Sequence, residues 1–120
     1  MSENSALVKG VNRAWDAGLV VVVAAGNNGP RTMSITTPGI SRKVITVGCS
    51  DDDREVLVGG NRMVDYSGRG PTAACICKPD LVAPGCSVVS CSSRADKYTI
   101  KSGTSMSTPI VSGAVALLLE

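Results

Sequence analysis

The sequence has no histidine and no phenylalanine, and its aromatic side chains are those of one tryptophan and two tyrosines among 120 residues. Because large aromatic residues are scarce, Ala, Val, Leu and Ile have to fill the core, a composition that suits a buried parallel sheet. The same scarcity leaves no platform on which the bases of single-stranded nucleic acid stack. The net charge of +2 comes without a run of Lys or Arg, so nucleic acid is not an expected partner.

Long apolar runs are also missing from the sequence. No segment approaches the about 20 consecutive apolar residues that cross a bilayer. The first residues, Met1 to Asn4, lack the basic start of a secretory signal. We therefore expect no membrane as a partner and no export signal in this segment.

The number of cysteines is odd, which favours free thiols in a reducing compartment. The five residues are Cys49, Cys75, Cys77, Cys86 and Cys91. From this we predict a cytoplasmic location. The alternative is a zinc site built from the Cys75–Cys77 and Cys86–Cys91 pairs. It is disfavoured because Cys-x-Cys is tighter than the usual spacing of structural zinc ligands and no histidine can complete the set, so we predict no cofactor.

The length allows about one domain, and the apolar pattern predicts its class. Ser5 to Ala17 has apolar residues at helical spacing and Gly18 after them, which predicts an amphipathic helix. Leu19 to Ala25 is a continuous apolar run, typical of a central strand covered on both faces, and Val44 to Gly48 is a second, shorter one. A helix that leads into such a strand predicts an α/β fold with a mainly parallel sheet flanked by helices.

The segments between these elements and the C-terminal helix read as turns and short strands. Gly59-Gly60-Asn61 predicts a hairpin turn, and Lys78 to Gly85 predicts a turn set by its prolines and glycine. Val88-Val89 is expected to pair, and Tyr98 to Ile100 to return the chain towards the C-terminal helix. Asp51 to Glu55 reads as a solvated acidic connection, which we favour over a cation site because three adjacent carboxylates cannot all face one ion.

Two segments indicate chemistry. Small residues surround Ser105 at the start of a buried helix, where unpaired N–H groups and the positive end of the helix dipole favour a nucleophile. Asn27 follows the first strand, at the carboxyl edge where α/β sheets bind ligands. Simpler interpretations are a capping serine at Ser105 and an ordinary turn from Asn27 to Pro30. Phosphate binding by that glycine-containing loop is disfavoured because it lacks the usual spacing.

Gly103-Thr104-Ser105-Met106, followed by a small residue and Thr108-Pro109, resembles the nucleophile signature of the subtilisin-like serine peptidases. Ala24-Ala25-Gly26-Asn27 resembles the strand end that carries the oxyanion asparagine of that family. Turns at residues 66–71 and 78–85 also resemble family landmarks, so the likeness covers nearly the whole chain. It is greatest to bacterial intracellular subtilases, because of the Ser-Arg-Gly-Pro-like turn, here with Gly68 in place of serine, and because Ile110 stands where many secreted members have histidine.

The resemblance implies that Ser105 is the nucleophile and Asn27 an oxyanion-hole donor. It also implies that a proline, here Pro38, follows a cis peptide bond beside the substrate pocket. The residues expected to contact a peptide or protein substrate are Ala24, Ala25, Gly26, Thr37, Pro38, Gly103 and Thr104.

The family's catalytic base is a histidine that precedes the serine in the chain, as does the aspartate that orients it. Since this sequence has no histidine, we interpret residues 1–120 as the C-terminal portion of a peptidase domain of three-layer subtilisin-like fold, lacking the Asp and His segments and the extreme C-terminus.

We expect a serine endopeptidase as the parent and no activity from the isolated chain; the alternative is a non-catalytic subtilisin-like binding or scaffolding module. Expected partners include the remainder of the domain and, through exposed sheet edges, further copies of the chain. Calcium binding by the parent stays open.

Overall fold

A computed structural model describes residues 2–94 and 96–120, which form two helices and seven strands. The helices are α1 (Ala6–Asp16) and α2 (Thr104–Leu119). The strands are β1 (Val22–Ala24), β2 (Ile45–Cys49), β3 (Val56–Val58), β4 (Asn61–Met63), β5 (Leu81–Ala83), β6 (Val88–Cys91) and β7 (Tyr98–Lys101). Within these described ranges, neither helix is long and apolar enough to cross a bilayer.

The predicted parallel sheet is confirmed and has three strands in the order β1-β2-β5. The pairing places Val23 opposite Thr46, and Gly48 opposite Val82. Helix α2 packs against all three strands, burying Val111 with Val47 of β2. This arrangement brings the start of α2 to the ends of the strands.

Helix α1 forms where its apolar spacing predicted it. The Ser5 side chain caps its N-terminus by accepting a hydrogen bond from the Val8 N–H at 3.3 Å. Gly18, with φ of 97°, follows the last turn in the left-handed conformation that glycine adopts most easily. Val8 is the buried residue of this helix and packs with Ala25 and Ile40.

Two expectations about the sheet were wrong. The apolar run Leu19 to Ala25 yields only the three-residue strand β1, which lies at an edge of the sheet, and Leu19 remains 63% exposed. A continuous apolar run indicates that both faces of a strand are suited to burial, but it does not indicate how many strands pair with it. The segment Lys78 to Gly85 is not only a turn, because Leu81–Ala83 forms strand β5 between its two prolines.

Two antiparallel hairpins complete the fold, and both follow their predictions. Strands β3 and β4 are joined by Gly59 and Gly60, whose φ angles of 58° and 88° are the positive values that a tight two-residue turn requires. Strands β6 and β7 pair from Val88 opposite Lys101 to Cys91 opposite Tyr98. The second hairpin returns the chain to Gly103, immediately before α2.

The acidic segment after β2 is only partly the solvated connection that its composition indicated, because residues 53–55 are exposed whereas Asp51 and Asp52 are not. Asp51 Oδ1 accepts hydrogen bonds from the N–H groups of Gly85 and Cys86, at 2.7 and 3.1 Å. Asp52 is buried, and its Oδ2 accepts from the Ser67 N–H at 2.8 Å. These carboxylates satisfy backbone donors of distant loops, which sequence neighbours cannot reveal.

Candidate active site

The start of helix α2 is attached to the sheet and to the loop that follows β5. Gly103, with φ of 141°, precedes the helix, and its N–H donates to the Gly85 carbonyl at 2.9 Å. Ser107 Oγ donates to the Ala83 carbonyl at 2.9 Å. The first turn is therefore held at both ends, whereas Ser105 between these anchors is exposed.

Thr104 joins the loop after β1 to this helix. Its side chain is fully buried at 0% exposure, and its Oγ1 accepts a hydrogen bond from the Gly26 N–H at 3.2 Å. The same hydroxyl donates to Asn27 Oδ1 at 3.0 Å, and the Thr104 backbone N–H donates to that oxygen at 3.0 Å. Three hydrogen bonds thus connect one threonine to two consecutive residues of the loop.

These contacts determine the orientation of the Asn27 amide. A backbone N–H can only donate, so the Asn27 atom that accepts from the Thr104 N–H has to be the amide oxygen. The amide nitrogen, Nδ2, takes no part in these bonds. Across residues 2–94 and 96–120, Asn27 Nδ2 makes no hydrogen bond to protein. The backbone N–H of Ser105 has none either, as is usual in the first turn of a helix.

Within the described residues, the Asn27 amide and the Ser105 backbone thus each keep an N–H donor without a protein partner, and the Ser105 side chain is exposed. The site does not offer a base. The Ser105 hydroxyl makes no hydrogen bond to any part of the protein that the structure describes, and the sequence has no histidine. Among the described residues, no group is therefore placed to take the proton of the Ser105 hydroxyl.

A shallow groove of about 410 Å³ lies beside Ser105. Its lining residues are Val22, Val23, Ala24, Pro38, Ser105, Thr108, Pro109 and Ser112. Two of the predicted substrate-contacting residues, Ala24 and Pro38, belong to this lining, and the Thr37–Pro38 peptide bond is cis. The structure thus brings strand β1, the loop before β2 and the start of α2 together at this groove.

The other predicted substrate-contacting residues form the frame around this groove. Ala25, Gly103 and Thr104 are buried, while Gly26 and Thr37 are half-buried. Ala25 uses both backbone groups within the protein, since its N–H donates to the Val47 carbonyl and its own carbonyl accepts from the Thr36 N–H. A direct substrate contact of these residues stays a prediction.

The sequence interpretation missed three groove residues on α2, namely Thr108, Pro109 and Ser112. They lie three, four and seven positions after Ser105, which is the spacing of one helix face. Helical periodicity counted from Ser105 would have identified them.

The zinc alternative based on cysteine spacing is not supported by the described residues. Cys75, Cys77 and Cys91 are exposed, and all five thiols are free. Two buried thiols meet instead, those of Cys49 and Cys86, together with Asp51.

Protonation in this second cluster follows from burial and hydrogen bonding. Burial raises the pKa of the Cys49 thiol to about 11, and it also raises the pKa of the Tyr66 hydroxyl. Burial opposes ionisation of Asp51 too, but hydrogen bonds from Gly85, Cys49 and Cys86 outweigh it and lower the pKa of that carboxyl below 3.8. None of these groups contacts Ser105, so they supply no base to the serine.

Comparison with known proteins agrees with this geometry. The model of the subtilase family matches residues 1–120. Serine protease AprX of Bacillus subtilis is 44% identical over 127 residues, which cover 95% of this chain and 29% of AprX. Subtilisin DY of Bacillus licheniformis is 37% identical over 121 residues, covering 99% of this chain and 39% of that protein.

The solved structures show the same relationship in three dimensions. Sphericase superimposes with a TM-score of 0.72 and 36% identity, over 97% of this chain and 39% of its own. The chain thus spans well under half of the length of these relatives, and its fold is a fragment of their domain. With the match of the family model over its full length, the chain belongs to the subtilase family of serine peptidases.

Proposed function

We propose that this chain carries the nucleophile and the oxyanion hole of a serine endopeptidase. Ser105 is the nucleophile, and Asn27 Nδ2 and the Ser105 N–H are the two oxyanion donors. The observation that carries the proposal is the double hydrogen bond from Thr104 to Asn27 Oδ1. These bonds occupy the amide oxygen and leave Nδ2 as a donor, while Ser105, the next residue after Thr104, stays exposed.

In the proposed reaction, Ser105 Oγ attacks the carbonyl carbon of a peptide bond. Its proton passes to a base that this chain does not contain, and the resemblance to subtilisin-like peptidases implies a histidine. The carbonyl oxygen takes the negative charge and is stabilised by the two N–H donors. The C–N bond then breaks, the amine leaves with the proton from the base, and water hydrolyses the acyl-serine.

The isolated chain is therefore proposed to be inactive. A serine hydroxyl is a weak nucleophile at neutral pH and needs an adjacent base. A non-catalytic subtilisin-like binding or scaffolding module is the second candidate function, and it requires that the remainder of the protein also lacks a base for Ser105.

A chimera tests whether the proposed nucleophile and oxyanion donors work when the missing groups are supplied. Residues 1–120 replace the matched segment of AprX, so that the remainder of that protease supplies the other groups it uses. We expect the chimera to cleave a peptide amide substrate, and Ser105→Ala to abolish cleavage. Asn27→Ala should lower kcat about a hundred- to a thousandfold, the cost known for the oxyanion asparagine of subtilisin.

The matched control is Asn28→Ala, which removes the same amide from the exposed neighbouring position and should change kcat less than about twofold, because surface substitutions have small effects. A chimera that folds cooperatively but cleaves nothing would favour the binding module. Equal effects of the two asparagine substitutions would remove Asn27 from the oxyanion hole while leaving Ser105 as the nucleophile.

A further inference from the structure

Four polar side chains meet in the core behind the loop that supports helix α2; we refer to Cys49, Asp51, Tyr66 and Cys86 as the thiol cluster. Cys49 Sγ lies 3.0 Å from Asp51 Oδ1 and 3.3 Å from Tyr66 Oη. Tyr66 Oη lies 3.1 Å from Cys86 Sγ. The two sulfurs and a carboxylate oxygen of Asp51 are all within 4.8 Å of one another.

The elements that bring these groups together are rigid. Cys49 ends strand β2, and Cys86 follows strand β5, its parallel neighbour in the sheet. Cys49, Tyr66 and Cys86 are buried, whereas Asp51 is only half-buried. Asp51 is therefore the member of the three proposed ligands that is most accessible to solvent.

The available ligand atoms, two sulfurs and one carboxylate oxygen, are those that a soft or borderline cation binds. A pair of sulfurs no more than 4.8 Å apart can both bond a central ion, because a zinc–sulfur bond is about 2.3 Å long. Thiolates select such ions, whereas Ca²⁺ and Mg²⁺ prefer sites made of oxygen. The carboxylate of Asp51 provides a third ligand atom, and the Tyr66 hydroxyl can bond a fourth ligand or a thiolate.

The charges of the ligands in the bound state also suit a divalent cation. Both thiols lose their protons to solvent when they bind an ion, so the bound state contains two thiolates and one carboxylate. A divalent ion neutralises two of these three negative charges, and the N–H groups of Gly85 and Cys86 already donate to Asp51. We propose that the thiol cluster binds one soft or borderline divalent cation, represented by Zn²⁺, through Cys49, Cys86 and Asp51.

A bound ion would also stabilise the support of the nucleophile helix. The Gly85 N–H donates to Asp51, and the Gly85 carbonyl accepts from Tyr66 Oη at 3.4 Å and from the Gly103 N–H at 2.9 Å. Gly85 therefore lies one hydrogen bond from the cluster and one from the start of α2. The proposed cation site stands independently of the proposed peptidase reaction, because its test measures binding.

The test is a titration of the full, metal-free chain, kept reduced with a phosphine because a thiol reductant would compete for the metal. Cd²⁺ reports thiolate bonding through its charge-transfer absorption, and Zn²⁺ is then measured by competition with a chromophoric chelator. We expect one equivalent of each ion to bind with thiolate ligation. Cys49→Ser and Cys86→Ser should each weaken binding more than about 100-fold, because loss of an outer-shell partner alone costs about 10- to 100-fold.

The matched control replaces the three exposed cysteines, Cys75, Cys77 and Cys91, with serine. This variant leaves the core unchanged, so it remains informative even if a core substitution prevents folding. We expect it to retain the cadmium absorption and the stoichiometry of the wild-type chain. Loss of the absorption in this variant, or a wild-type chain that shows none, would overturn the proposal.

Discussion

Thr104 Oγ1 donates a hydrogen bond to Asn27 Oδ1 at 3.0 Å across 77 positions of the sequence. The same hydroxyl accepts from the Gly26 N–H, so one side chain links the loop after β1 to the start of helix α2. The candidate oxyanion donor and the candidate nucleophile are therefore positioned by a shared residue. This relationship gives the first prediction.

Thr104→Val removes the hydroxyl and nearly preserves the side-chain volume. The Gly26 N–H then loses its acceptor in a protein interior, and Asn27 Oδ1 loses one of its two donors. We expect the free energy of unfolding to fall by about 1–3 kcal/mol, the cost of leaving a buried polar group unpaired. Urea unfolding measures the change.

Thr108→Val is the matched control for this substitution. Thr108 Oγ1 donates to the Thr104 carbonyl within the same helix, at 2.9 Å. Loss of this hydrogen bond therefore removes no contact between distant elements. We expect a change within about 0.5 kcal/mol, as at positions without a special role. Equal destabilisation by both variants would contradict the linking role of Thr104.

Gly85→Ala should disturb the start of helix α2. An added Cβ would lie 2.8 Å from the Gly103 carbonyl oxygen and 2.9 Å from Cys49 Sγ, and it would also meet Ser107 Oγ. Because a backbone atom is among these contacts, the helix start has to move. We expect a loss of about 1–3 kcal/mol in the free energy of unfolding, as for other overpacked cores.

Gly113→Ala serves as the comparison for Gly85→Ala. Gly113 lies within α2, and an added Cβ there meets nothing within 4 Å. Alanine has the higher helix propensity, so we expect stabilisation by up to about 1 kcal/mol. Thermal unfolding of the pair should shift the midpoint in opposite directions, and a shift in the same direction would refute the packing argument.

The stability of the fold should depend on the ionisation of Asp51. The pKa of this carboxyl in the folded chain lies below its ordinary value of 3.8. The carboxylate therefore contributes stability that is fully present above pH 3.8, and this contribution is lost as pH falls through the folded pKa. Asp51→Asn should lower the urea midpoint at pH 7 and show a smaller further decrease between pH 5 and about pH 2 than the wild type.

The control for Asp51 is Asp53→Asn, an exposed carboxyl two positions away. Metal-free conditions keep the proposed cation out of this comparison. If Asp51→Asn kept the acid dependence of the wild type and Asp53→Asn abolished it, the effect would belong to Asp53 and the prediction would be wrong.

An ion pair between a buried lysine and an exposed aspartate provides another test. Lys78 Nζ, with its side chain 1% exposed, lies 2.7 Å from Asp80 Oδ2 and 2.8 Å from the Val44 carbonyl oxygen. Asp80→Ala leaves the buried ammonium group without its counter-charge and the Thr46 N–H without its acceptor, and we expect a loss of about 1–3 kcal/mol in the free energy of unfolding. Lys78→Met removes the charge and retains the volume, so it should cost less; the reverse order, measured by urea unfolding, would contradict this account.

Much of the local structure could be predicted from the sequence. Helix α1 has apolar residues at helical spacing and Ser5 at its cap, and the β3–β4 hairpin has Gly59 and Gly60 where positive φ angles are needed. These features depend on interactions between residues close in sequence. Strand β5 was missed because its three residues lie between prolines, and its pairing partner is more than 30 positions earlier.

The sequence by itself determined the family and the candidate nucleophile, because the residues around Ser105 and Asn27 occur in a fixed local order that can be recognised from the sequence. Only the tertiary structure decided which way the Asn27 amide faces, that Asp51 binds the loop after β5, and that Cys49 meets Cys86 rather than the exposed cysteines. The physical reason is that hydrogen bonds and ligand sets act over a few ångströms between segments whose proximity follows from strand order and register. No local pattern of residues encodes that proximity.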